Sequence, residues 1–127
     1  MKDYPQNMLR NVCIAGHGSD GKTSLTEAIL FASKAIDRPG NIASGTTVSD
    51  FDAEEVKRGI SLSTAIAPVE WKGCKINLLD TPGFFDFVGE TLQGLSAAET
   101  ALIVLSGRSG VEVGTEKVFA YAKDKPK

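Results

Sequence analysis

The 127-residue sequence predicts an α/β fold: a mostly parallel sheet wrapped by helices on both faces, with an antiparallel hairpin at one edge. Three observations point there. Short continuous apolar runs such as Val12, Cys13, Ile14 and Ala15 have no polar face, as strands buried on both sides of a parallel sheet require. Stretches with apolar residues at helical spacing separate those runs. Two further β-rich runs are joined only by Lys72 and Gly73, a tight turn that makes its two strands antiparallel.

Residues 9–16 (LRNVCIAG) read as the first strand. From Lys22 the period changes, and Leu25, Ile29, Leu30, Ala32 and Ile36 recur at helical spacing, which gives the first helix. Residues 37–48 are rich in Gly, Ser, Thr, Asn and Pro and read as a loop that continues into the charged stretch FDAEEVKRG. A connection this long inside a compact domain is more often functional than idle. Residues 60–71 and 74–79 form the hairpin, residues 88–98 a short helix, 101–105 (ALIVL) a buried strand, and 112–123 a helix with Val113, Val118 and Tyr121 on its apolar face. The expected order is β-α-β-β-α-β-α.

Composition bounds the possibilities. The chain is 42% hydrophobic and 24% charged, as for one soluble domain. A net charge of −2 gives no global field to recruit DNA or an anionic membrane, so neither is expected as a direct partner. No stretch approaches the ~20 apolar residues of a membrane span. Cys13 and Cys74 lack metal-ligand spacing and fit a reducing compartment, so a cytoplasmic protein is expected.

The motif that carries chemistry is GHGSDGKT, Gly16 to Thr23, which fits GxxxxGK[ST] and lies between a strand and a helix. A random chain of this length would contain such a match on the order of half a per cent of the time. Gly16, Gly18 and Gly21 let the backbone turn so that N–H groups along His17, Ser19, Asp20 and the following residues converge on phosphate oxygens. Lys22 places a positive charge on the β- and γ-phosphates, Thr23 offers a hydroxyl to Mg²⁺, and Ser24 follows at the helix start. His17, the single histidine, fits a packing or hydrogen-bonding role beside the phosphates better than a catalytic one. Asp80 closes the run NLLD, at the strand end where a second metal-holding group is needed, and Pro82-Gly83 follow, Gly83 offering an N–H to the γ-phosphate. Ser61, in KRGISLS, is either a polar residue at a strand start or a third metal ligand that engages only when a γ-phosphate is bound.

GHGSDGKTS, DAEEVKRGISL, DTPGFFDF and GVEVGTE, in this order, resemble the nucleotide-binding domain of translational GTPases, closest to bacterial elongation factor G and its paralogues. The resemblance spans about residues 9–123. It implies the N-terminal part of a G domain with the three-layer αβα sandwich of P-loop NTPases, GTP and GDP as ligands with Mg²⁺, GTPase activity, and the ribosome as activator in translocation or a related remodelling step. Residue by residue, it maps the first switch hydroxyl to Ser61 and the second switch to Asp80 through Gly83, leaving Lys22 and Gly83 as the catalytic contacts.

Three departures sharpen the expectations. The family usually has a water-orienting His after DTPG, and here that position is Phe84, whose ring neither titrates nor forms conventional hydrogen bonds. The acid of the phosphate loop is Asp20, one residue later than the usual place, where Ser19 stands. The guanine-reading NKxD motif does not occur before the KDKPK end, so guanine specificity rests on the resemblance. The 127 residues are therefore expected to be a partial G domain of a longer multidomain protein, ending before the guanine-recognition strands. The backbone edge of residues 101–105 is expected to stay unpaired and to favour self-association. Two readings follow: a GTPase coupled to the ribosome, or a GTP-gated ribosome-binding module with little hydrolysis. A phosphate-loop ATPase or kinase is a third, without support from RGISL and DTPG.

Overall fold

In the computed structural model, which describes residues 2–124, every strand foreseen from the apolar runs is present. Met1 and residues 125–127, which belong to the KDKPK end, lie outside the described residues. The strands are β1 (Leu9–Gly16), β2 (Ala65–Trp71), β3 (Cys74–Asp80) and β4 (Thr100–Val104), and the helices are α1 (Lys22–Ala32), α2 (Ala53–Arg58), α3 (Val88–Ala97) and α4 (Val113–Lys123). The sheet order is β2-β3-β1-β4, with β1 parallel to both β3 and β4, and β2 antiparallel to β3. The hairpin turns where foreseen because Lys72 and Gly73 both adopt left-handed φ, 48° and 80°.

Alternation along the central strands divides the interior into two cores. Cys13 and Ala15 of β1 pack with Leu79, Leu95, Ala98 and Val118 on the α3–α4 side. Ile14, pointing the other way, packs with Leu30, Ala67, Val69 and Leu78 on the α1 side. The result is the three-layer αβα sandwich, with β4 and β2 at its two edges. No helix among the described residues is long and apolar enough to cross a membrane.

The α3 layer lies close because Gly94 has no side chain. A Cβ there would sit 2.7 Å from Thr81 Cγ2 and 3.2 Å from Cys13 Sγ. Gly94→Ala therefore forces α3 off the sheet and lowers unfolding stability by about 1–3 kcal/mol, read as a lower urea midpoint at unchanged slope.

The structure corrects the sequence reading in four places. The stretch read as charged loop contains α2, opened by a capping box between Asp52 and Glu55 and closed by Gly59 at φ 64°. β2 begins at Ala65 rather than at residue 60, because carboxylates take the amides a ladder would need: Leu62 and Ser63 donate to Glu55 Oε1 and Thr64 to Glu90 Oε2. α1 stops at Ala32, ahead of Lys34 at φ 61°, and its buried face is Thr26, Glu27 and Leu30 while Ala32 is exposed. Val113 is also exposed, since α4 packs through Thr115 and Val118.

Candidate nucleotide site

β1 ends at Gly16, and the loop that follows turns through left-handed φ at Ser19 (67°) and Gly21 (92°) before α1 starts at Lys22. Lys22 is buried, and its Nζ donates to the His17 carbonyl at 2.7 Å. Burial lowers the Lys22 pKa, while the charges of Asp80 and Asp20 oppose that shift. A cavity of about 290 Å³ opens over this loop, lined by Gly18, Ser19, Gly21, Lys22, Thr23, Ser24 and Gly83, together with Asp50, Ser61 and Phe84. The floor is tight: a Cβ on Gly83 would collide with Lys22 Nζ and Gly18, and one on Gly18 would meet the Phe84 ring at 2.9 Å. Gly16, Asp20, Asp80 and Pro82 do not line this cavity.

Three elements converge at the proposed metal position. Thr23 Oγ1, on the first turn of α1, donates to Asp80 Oδ2 at the end of β3 (2.9 Å). Ser61 donates to Asp50 Oδ1 (2.6 Å), and the Thr23 and Ser61 hydroxyl oxygens approach to 3.3 Å. Both hydroxyl protons are thus committed to carboxylates, so the two oxygens meet as acceptors. Asp80 Oδ1 is buried with no hydrogen-bond partner. Burial raises Asp80 from 3.8 to about 6, against the lowering effect of the neighbouring Ser49 and Thr23 hydroxyls and of Lys22. Burial likewise raises Asp50, against the Ser61 hydrogen bond. Two carboxylates and two hydroxyls make a hard oxygen set suited to Mg²⁺. An orphaned carboxylate oxygen beside two facing acceptors is what such a cation would satisfy.

The structure therefore brings Thr23, Ser61 and Asp80 together and adds Asp50 and Glu55, which the sequence reading passes over. Asp50 carries no signal of its own in a loop of mixed polar residues. Glu55 was findable, as the third residue after the cap Asp52. It is 1% exposed, and its carboxylate holds the Leu62 and Ser63 amides just beyond Ser61.

Other site residues face away. The His17 ring leaves the cavity: Nδ1 accepts from the Gly114 amide (3.2 Å), and Nε2 lies 3.8 Å from Glu112 Oε1. Phe85 also turns from the cavity, with Lys117 Nζ 4.1 Å from its ring centroid. Phe84 does not: its ring lines the cavity beside Gly18.

A parallel strand, a glycine-rich turn and a helix opening on a buried lysine, with a carboxylate at the end of the adjacent strand, define a phosphate-loop nucleotide-binding protein. The chain belongs to the family described as the elongation factor Tu GTP binding domain, which it matches over residues 7–126. It is 45% identical over 111 residues to an elongation factor G-like protein of Mycobacterium tuberculosis, covering 87% of this chain and 16% of that protein. With an elongation factor G of Dehalococcoides mccartyi it shares 38% over 121 residues, 95% of this chain and 18% of the relative. A crystal structure of a Thermus thermophilus protein superposes with a TM-score of 0.89 at 41% identity, over 91% of this chain and 18% of that one. The chain thus spans less than a fifth of the length of these relatives.

Proposed function

We propose that this chain binds GTP with Mg²⁺ and hydrolyses GTP as the G domain of a cytoplasmic translation factor resembling elongation factor G, acting on the ribosome in translocation or a related step. The observation that carries the reading is the convergence of Lys22, Thr23 and Asp80 with Ser61, a residue delivered by the long first-switch loop. On this reading the domain is one part of a longer multidomain protein, which the greater length of the relatives supports. The exposed β4 edge supports self-association of the isolated domain.

Each residue has a distinct task. The N–H groups from Gly18 to Thr23, at the N-terminus of α1, hold the phosphate oxygens. Lys22 exchanges the His17 carbonyl for the β- and γ-phosphates, and its burial strengthens that attraction by excluding water. Thr23, Ser61 and Asp80 would hold Mg²⁺, with Asp50 as the acceptor that orients Ser61. When bound, Mg²⁺ would neutralise charge on the β- and γ-phosphate oxygens. Gly83 brings a backbone N–H beside Lys22, where a γ-phosphate would be sensed.

Phe84 favours a second reading, a GTP-gated ribosome-binding module with slow turnover, because no side chain that handles a proton stands at that position. One experiment separates the readings: single-turnover hydrolysis of GTP and of ATP by the full-length protein, with and without ribosomes. Ribosome-dependent acceleration with GTP alone is expected. Equal slow rates with and without ribosomes would establish the binding module, and equal use of ATP would overturn guanine recognition.

A further inference from the structure

We propose that Glu27 is a positioning residue that staples the loop of residues 40–48 to α1 and thereby sets the preference of the site for a nucleoside triphosphate with its cation over the diphosphate. The second half of this proposal rests on the reading of the cavity as a GTP site. Glu27 lies one turn beyond Thr23 on α1 and is 3% exposed. A carboxylate buried to this degree requires donors, and neither the Arg58–Glu54 ion pair nor the approach of His17 to Glu112 includes it. It takes backbone amides instead: Oε2 accepts from Gly40 at 2.7 Å and Oε1 accepts from Val48. One side chain thus holds both ends of the loop.

The loop between these anchors is a folded unit. The Asn41 amide donates to Thr46 Oγ1 (2.9 Å), and the Asn41 side chain accepts from Ala43 (2.8 Å). A Cβ at Gly40 would collide with the backbone of Thr46 and Thr47. Val48, the second anchor, stands two residues before Asp50, which accepts from Ser61 at the metal position. Releasing Val48 therefore frees the segment that carries Asp50 to Thr23, Ser61 and Asp80. A diphosphate held by the loop from Gly16 to Thr23 does not need that segment. A cation shared with a γ-phosphate does.

The test is Glu27→Gln, which keeps the size but presents an NH₂ to one of the two amides. Hydrogen exchange is measured on the whole chain without nucleotide, and affinities are measured with Mg²⁺ for GDP and a non-hydrolysable GTP analogue. In the wild type, the Gly40 and Val48 amides should exchange more slowly than those flanking them in the loop. In the variant, amides of residues 40–50 should exchange at least about tenfold faster while those of β1 and β3 are unchanged. Affinity for the analogue should fall about tenfold, with GDP within about twofold. Unprotected Gly40 and Val48 amides in the wild type would overturn the staple even if the variant fails to fold. Faster exchange throughout the sheet, or equal loss for both nucleotides, would mark Glu27 as merely structural and overturn the proposal. If the wild type binds neither nucleotide, the GTP reading fails, and with it the claimed triphosphate preference, while exchange at residues 40–50 still decides the staple.

Discussion

On the proposed reading, replacing Phe84 by His should raise the ribosome-stimulated GTP hydrolysis of the full-length protein by about a hundredfold or more. The magnitude is that of a positioned group able to accept and donate a proton, typically about 10²–10⁴ in rate. The geometry makes the substitution informative. Phe84 lies beside Gly18 and lines the cavity that holds Lys22 and Gly83, so an imidazole on the same backbone enters the space where an attacking water would be oriented. The remaining stabilisation, from Lys22, the loop amides and the cation site, is present in both proteins, and the comparison isolates one side chain. Single-turnover rates with and without ribosomes measure it. A wild type already accelerated by several orders of magnitude, with no gain from His, would show that Phe84 does not limit turnover and would remove the support for the binding-module reading.

Asp80→Asn should remove the share of the fall in stability between about pH 4 and 7 that Asp80 contributes to the wild type without divalent cation. Burial is the main cause of the rise of Asp80 from 3.8 to about 6. Between those values the folded protein keeps a proton that the unfolded chain has released. The stabilisation is therefore complete below about pH 4 and is lost as pH rises through about 6. Roughly two units of difference correspond to about 3 kcal/mol. Asn does not titrate, so whatever its buried amide costs is the same at every pH, and the wild-type minus variant difference in urea stability changes by about 2–3 kcal/mol over that range. Saturating Mg²⁺ should restore the wild type at about pH 7.5 and leave the variant unmoved, because a cation replaces the proton on the orphaned carboxylate oxygen. A wild-type minus variant difference that does not change with pH would contradict the raised pKa of Asp80, and equal Mg²⁺ stabilisation of both proteins would contradict its assignment to the cation.

Much of this protein is legible in its amino-acid order. Backbone chemistry is local, and so the turn at Lys72-Gly73, the phosphate loop from Gly16 to Thr23 and the continuous apolar strands identify themselves within a few residues of sequence. α2 is equally local, through Asp52, Glu55 and Gly59, but six residues are too few to show a helical period. The buried carboxylates are different. In sequence Glu27 and Asp50 are two acids among sixteen Asp and Glu, with nothing to separate them from residues that face water, and the spacing of Glu55 from Asp52 marks a cap but not its burial. The sequence by itself determined the order of the strands and of every helix but α2, the place of the phosphate loop, and Thr23, Ser61 and Asp80 as the residues proposed for the cation. The tertiary structure alone decided that Glu27 and Glu55 are buried and hold loop amides, that Asp50 joins Ser61, and that Phe84 lies beside Gly18. The physical reason is that a buried charge is stabilised only where donors are brought to it, and for Glu27 and Asp50 those donors come from other segments, a meeting that is a property of the fold rather than of any short stretch.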